Sequence, residues 1–433
     1  MEIMKKMSEY SYHIGMQLRI YPSDTQKKII RMNGGASRYI YNKLVADNRE
    51  IWKLKKTANL SPADKTRLDF LESVHKNRAS LINMIPFLNI KEIDSNMIDQ
   101  ALANYRDAWH QYKTVKGTSV PSFHKKDNTY SYGTSNHFGK KRTDGLRDGS
   151  ICFLDSNHIQ LPKIGRIRFK GSKKLVTAVL NRVAMTRIGT VTVYMDATGD
   201  CYASLSLASD TPFHQPYTQT GKAVGMDVNL TNFLTDSDGT VIENMKFFAV
   251  TEAKLKKEQR KLSRKQESAK KDKRDFRTNK NYQEQRLKVA ELHKKVTNQR
   301  LDFIRNVVNT EVKNHDYLFA EDLKVRNLLK NHRLAQAITD CGWRKFLTEL
   351  EWGSSKRGKI CLLVNPKNTT QTCSSCGYLS HGDTRIELGV EEWDCPQCHT
   401  HHIRDYNAAM NIKNIGIALL KEAGVPVSVD NSL

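Results

Sequence analysis

Two sets of residues in the C-terminal half have the types and spacing that chemistry needs. The first is Cys373-Ser-Ser-Cys376 and Cys395-Pro-Gln-Cys398, two C-x-x-C pairs separated by eighteen residues. Two residues between thiols let a tight turn aim both sulfurs at one ion, and the spacing is that of tetrahedral Zn2+ sites. Gly377, directly after the first pair, suits the positive φ that such a turn often needs. A redox dithiol would need only one pair. Four protein ligands leave no open coordination position, so the expected zinc ribbon is structural and any reaction happens elsewhere. His399, His401 and His402 are nearby alternative ligands. Cys152, Cys201, Cys341 and Cys361 are scattered through apolar or alternating segments, where packing is the expected role.

The second set is three acids. Asp227 in G-M-D-V-N and Glu321 in Y-L-F-A-E each close an apolar strand, and Asp405 in R-D-Y-N-A-A stands at a helix start, where an N-cap is its plainer role. Separations of 94 and 84 residues do not prevent them from meeting at one edge of a mixed sheet. Three close carboxylates repel and raise each other's pKa unless cations sit among them. Oxygen ligands select Mg2+ or Mn2+ over zinc. Two such ions about 3.5–4 Å apart can activate a water and stabilise the leaving oxygen of a phosphodiester. Asp227, Glu321 and Asp405 are therefore the candidate catalytic and magnesium-binding residues of a metal-dependent nuclease.

The elements that must position these residues are legible in the hydrophobic pattern. A chain of 433 residues predicts two or three domains. An alternating run at residues 13–21 predicts a strand, and Pro22-Ser23 leads into a helix from Asp24. Apolar spacing of three and four predicts a helical block to about residue 115, and short β-rich runs over 150–209 predict a small antiparallel barrel or sandwich. Residues 210–221, with Pro212 and Pro216, read as a linker. Beyond it the pattern predicts strands at 222–228, 232–235 and 240–243, a helical stretch from 251 to about 314, and a strand at 317–321. A helix at 342–352, a strand at 359–364 and a last helix at 405–422 follow. This is the order of an RNase H-like α/β domain.

Charge indicates the partner. Seventy Lys and Arg against forty-six Asp and Glu leave +24, a field that attracts phosphate backbones. Residues 253–300 alone hold eighteen Lys and Arg against six acids, half of the net charge. Helical charges usually face water, but so concentrated an excess is best tolerated when a polyanion neutralises it. The longest aliphatic stretch, I-C-L-L-V at 360–364, is far too short to span a bilayer, and the opening M-E-I-M-K-K-M-S-E-Y lacks a secretory apolar region. A soluble, cytoplasmic protein without membrane partners is expected, its cysteines reduced.

Together these motifs resemble the TnpB (OrfB-type) proteins of insertion sequences, relatives of the compact type V CRISPR nucleases. G-M-D-V-N-L-T-N-F with S-D-G, F-A-E-D-L-K-V, and R-D-Y-N-A-A-M-N-I are similar to the three RuvC motifs. T-T-Q-T-C-S-S-C-G and W-D-C-P-Q-C-H resemble the zinc ribbon, and K-L-S-R-K-Q the basic helix. R-Y-I-Y-N at Arg38 and P-S-F-H-K-K at Pro121 are weaker matches. The resemblance implies an RNA-guided DNA endonuclease of a transposable element that cuts beside a short flanking motif. Its partners would be a guide RNA and a double-stranded DNA target, and its nucleoprotein would sit on the nucleoid. It implies a multidomain α/β plus β fold: a wedge-like β-barrel (8–30 and 116–215), a helical recognition block (31–115), and a RuvC-like domain (222–433) with the zinc ribbon inserted at 366–403. Arg38, Lys125, Lys126, Lys261, Arg264, Lys265 and Arg404 are the expected nucleic-acid contacts. Asn229 stands where many relatives have Gly, and Thr370 where many have Ser, so the loop after Asp227 is expected to differ in shape. The alternatives are a cleavage-inactive RNA-guided or zinc-ribbon DNA-binding repressor, and a compact CRISPR effector.

Overall fold

The computed structural model describes the chain except residues 1–4, 75–76, 139–145, 147, 183–185, 245–246, 274, 324–341, 388 and 428–433. Cys341 and the last two residues of F-A-E-D-L-K-V lie outside the described residues. The chain divides into two compact units, Met1–Phe213 and His214–Leu433.

In the first unit, strand β1 (Tyr12–Tyr21) alternates as its sequence predicts, burying Met16, Leu18 and Ile20. Ser23 then caps helix α1 (Asp24–Lys56): its hydroxyl accepts from the Gln26 amide, and the Gln26 side chain accepts from the Ser23 amide. Helices α2 (Pro62–Val74), α3 (Arg78–Met84) and α4 (Ser95–Thr114) follow, then β2 (Tyr130–Ser135), β3 (Cys152–Phe153), β4 (His158–Leu161) and β5 (Gly165–Lys170). Helix α5 (Lys173–Leu180) precedes the long pair β6 (Thr186–Met195) and β7 (Cys201–Ser209). The seven strands form one antiparallel sheet in the order β2-β6-β7-β1-β5-β4-β3. Near its two edges the Asn136 amide bonds Ile151 on both sides, so the residues after β2 meet those before β3.

Residue 30 lies inside α1, and Ile30, Ile40 and Leu44 of that helix share one core with Leu18, Ile20 and Val193 of the sheet.

In the second unit, β8 (Ala223–Asp227), β9 (Asn232–Asp236) and β10 (Val241–Glu243) make an antiparallel meander. The basic stretch is a hairpin of helices α6 (Phe247–Lys271) and α7 (Lys280–Asn314), leading into β11 (Tyr317–Glu321). Helix α8 (Trp343–Ser355), β12 (Ile360–Val364), the short pair β13 (Glu392–Asp394) and β14 (His401–Ile403), and helix α9 (Arg404–Glu422) complete it. The main sheet runs β10-β9-β8-β11-β12, with β11 parallel to both β8 and β12. β8 is buried on both faces, which explains its unbroken apolar run. Val224, Met226, Leu318 and Ala320 pack with residues of α7 and α8, including Ile304, Val308 and Phe346. Ala223 and Phe319 pack with Ile412 and Leu420 of α9. The linker is docked on this unit: the Thr220 and Gly221 amides donate to Asp316, which is also ion-paired with the fully buried Lys359. Among the described residues, no helix is long and apolar enough to cross a membrane.

Candidate active site

The two-residue period of the strands decides where the acids go. Asp227 shares its side of β8 with Ala223, and Glu321 shares its side of β11 with Phe319, so both occupy the face that α9 covers. Ala320 lies opposite Met226, which makes Asp227 and Glu321 the next residues along adjacent strands. Helix α9 brings Asp405 to the same face, and it can do so only because the sheet lets it approach. A Cβ on Gly225 would overlap the carbonyl oxygen of Ala409, and one on Gly416 would overlap the Phe319 ring.

Asp227 and Glu321 are 7% and 8% exposed, Asp405 half-buried. Burial raises the Asp227 pKa well above the ordinary carboxylate range; the charges of Glu321 and Asp405 add to this and Arg404 offsets part. Burial also raises Glu321, against a hydrogen bond from the Thr369 hydroxyl to its Oε1 at 2.6 Å. Asp405 is raised by burial too, with Arg404 opposing and Glu391 adding. Its Oδ2 accepts from the Asn229 amide at 2.9 Å, and Asn229 Oδ1 accepts from the Asn232 backbone at 2.6 Å. Two carboxylates are thus held by neutral donors, and the nearby cation Arg404 offsets charge on Asp227 and Asp405. That excess of buried negative charge fits a divalent cation.

The N-cap reading of Asp405 is overturned. Ile403 occupies the cap with no side-chain bond, and Asp405 is the second residue of the helix, leaving its carboxylate to Asn229. Asn229 therefore shapes the loop after Asp227 by bridging it to the third acid.

The four thiols form a second cluster. Among the described residues it is the group of His, Cys, Asp or Glu side chains close enough to share one ion, its sulfurs all within 4.8 Å of one another; the three carboxylates are grouped more loosely. Cys373 and Cys398 sulfurs are 3.7 Å apart and those of Cys376 and Cys395 3.6 Å. Four sulfurs bound at about 2.3 Å in a tetrahedron sit about 3.8 Å apart, so the cluster fits Zn2+. The two knuckles match: the Gly377 amide donates to the Cys373 carbonyl and the His399 amide to the Cys395 carbonyl, both at 2.9 Å, with φ of 80° and 61° at Gly377 and His399. The Thr400 hydroxyl, 3.2 Å from Cys398 Sγ, and the Thr400 backbone amide pull that thiol down to about 6. His401 bonds Asp394, and His399 forms the turn. His402 lies 3.0 Å from Cys373 Sγ, tilted against Trp393. None of the three histidines replaces a thiol in the cluster.

Lys125, Lys126, Lys261, Arg264 and Lys265 are exposed. Lys261 pairs with Glu258, and Lys265 donates to the Asn281 carbonyl across the hairpin. Arg38 lines a cavity with Tyr41, Gln100, Asn104 and His124, and Arg404 donates to the Glu387 carbonyl. Sequence reasoning missed Thr369, Asn407 and Asn411, and gave Asn229 no partner. The available signal was a pair of asparagines four apart on an otherwise apolar helix face.

Fold and site define an α/β protein with a carboxylate-bearing sheet face and a four-thiol cluster. Three family models match it: OrfB_IS605, described as "Probable transposase", over residues 204–332; "Cas12f1-like, TNB domain" over 343–412; and the OrfB_IS605 "Helix-turn-helix domain" over 12–57. The last span holds one strand and one continuous helix here. A Streptomyces pristinaespiralis protein named as an RNA-guided DNA endonuclease is 28% identical over 92% of this chain and 88% of its own. InsQ of Escherichia coli K12, named likewise, is 26% identical over 96% and 94%. The solved structure of a Cas12f1–sgRNA–target DNA complex contains a chain with the same fold, at TM-score 0.54 and 12% identity, over 93% of this chain and 99% of that one. The chain belongs to the TnpB (OrfB-type) family.

Proposed function

We propose that the protein is an RNA-guided, divalent-metal-dependent DNA endonuclease of a transposable element. The observation that carries this is the meeting of Asp227, Glu321 and Asp405, from two adjacent strands and a helix, on one face of the sheet with their charge only partly offset by Arg404. The near full-length relatives named for this activity support it. In this reading the second unit is an RNase H-like, RuvC-type nuclease domain, since its sheet is a three-strand meander extended by two parallel strands. The thiol segment is its zinc ribbon, and the first unit is a wedge-like barrel with a helical recognition block.

The three carboxylates would hold Mg2+ or Mn2+, which when bound activate water and stabilise the leaving oxygen of a phosphodiester. Thr369 and Asn229 each fix one carboxylate oxygen and so fix the rotamers of Glu321 and Asp405. The four thiolates would hold Zn2+ as a structural ion. Arg38, Lys125, Lys126, Lys261, Arg264, Lys265 and Arg404 would contact phosphates, while pairing between guide RNA and one DNA strand reads the target.

The test is to co-express the chain with its native flanking locus and sequence the RNA that copurifies. The complex is then given Mg2+ and plasmids carrying the guide match beside randomised bases. Cutting that needs guide, flanking motif and Asp227 is expected, with Asp227→Ala abolishing cutting while binding stays within about twofold. Motif-dependent binding without cutting by the parent chain would make it a repressor.

A further inference from the structure

We propose that Asn407 and Asn411 make the four-thiol cluster a positioning device for the carboxylates, so that metal binding at one site strengthens it at the other; this rests on the endonuclease reading above. The two asparagines stand one turn apart on α9 and face the same way. Asn407 donates to the Thr372 carbonyl at 2.8 Å and accepts from the Ser374 amide at 2.9 Å, so it grips the backbone on both sides of Cys373. Asn411 donates to the carbonyls of Thr369 and Thr372, at 2.8 and 2.6 Å. An amide side chain carries two donors and an acceptor on one rigid group: Asn407 uses both kinds, and Asn411 sends its NH2 to two carbonyls. Asn407, Asn411, Thr369 and Cys373 are all buried, so losing either asparagine strands carbonyls at a largely desolvated seam.

Both ends of this staple reach the candidate active site. Asp405 is two residues before Asn407 on the same helix, and Thr369, held by Asn411, donates to Glu321 at 2.6 Å. Closing the thiol cluster around an ion orders residues 369–374, and the ordered backbone then sets both Glu321 and α9 with its Asp405. Such coupling is reciprocal: whatever one ion gains from the other's presence, the other gains equally. Asn407, Asn411 and Thr369 are positioning residues, acting through Glu321 and Asp405.

The experiment uses the full chain and measures zinc content and Mn2+ affinity by paramagnetic resonance titration, before and after graded zinc removal with a chelator. In the parent, zinc removal is expected to weaken Mn2+ binding by roughly tenfold or more, the range seen when a ligand's supporting hydrogen bond is lost. Asn411→Ala is expected to retain its zinc, to bind Mn2+ roughly tenfold more weakly, and to lose most of the response to zinc removal. Thr369→Val should weaken Mn2+ binding similarly at full zinc, and Thr369→Ser should restore it. Full zinc with unchanged Mn2+ affinity in both Asn411→Ala and Thr369→Val would overturn the proposal, as would an equal response to zinc removal in parent and Asn411→Ala. Asp227→Ala separates the two readings. If it binds Mn2+ like the parent, the carboxylate site itself is wrong; if it loses Mn2+ while Asn411→Ala does not, only the staple fails.

Discussion

At the scale of single residues, backbone constraints explain identities that charge and hydropathy do not. Gly225 sits two residues before Asp227 because any Cβ there would strike the Ala409 carbonyl and lift α9 from the sheet. Gly225→Ala is expected to destabilise the chain by about 1–3 kcal/mol, an overpacking cost, and to reduce cleavage by displacing Asp405. Denaturant titration and single-turnover cleavage measure the two effects, and unchanged values for both would show that α9 has slack. His399 holds a left-handed backbone at φ 61°, where its counterpart in the first knuckle is Gly377. A side chain in that conformation costs roughly 1–2 kcal/mol. His399→Gly should therefore stabilise the zinc-loaded chain by up to about 1 kcal/mol, read as slower zinc loss to a chelator; faster loss would mean that the imidazole contributes to the knuckle.

At the scale of elements, the buried His315 joins the end of α7 to the turn between β9 and β10. Its ring nitrogens lie 3.3 Å from Glu311 Oε2 and 3.1 Å from Asp238 Oδ2, and Lys413 Nζ is 4.0 Å from Asp238. Burial disfavours its charge, yet the bonds to Glu311 and Asp238 outweigh burial and raise its pKa above the ordinary histidine value. The folded chain then holds this proton more tightly than the unfolded chain. The resulting stability is complete below about pH 6.5 and is lost as pH rises through the raised folded value. Thermal melts at pH 6 and pH 8 should show a larger fall in melting temperature for the parent than for His315→Gln. An equal fall would remove His315 from the pH response.

For the whole molecule the dominant feature is charge. Residues 253–300, within the α6–α7 hairpin, carry half of the net +24, and Lys261, Arg264 and Lys265 on α6 are exposed. Replacing these three with Gln should weaken nucleic-acid binding for all sequences alike and flatten its salt dependence, by about one unit of log–log slope for each phosphate no longer neutralised. Cleavage at saturating nucleic acid should survive, since the hairpin is not part of the carboxylate face. An unchanged slope would assign the hairpin's charge to solubility.

The amino-acid sequence by itself determined whatever depends on local spacing. The C-x-x-C pairs, the strand ends that carry Asp227 and Glu321, the basic helical stretch and the order of elements in the second unit were all legible, because each is set within one or two turns of chain. The three acids could be named together because strand ends and a helix start are recognisable places. Tertiary structure alone decided that Asn229 would bond Asp405 across 176 residues and Thr369 would bond Glu321 across 48. It also decided that the helices after residue 30 would share a core with β1. A side-chain amide or hydroxyl can satisfy many backbone or carboxylate partners with similar energy, so its sequence neighbours do not specify which one it meets. Packing of α9 on the sheet does.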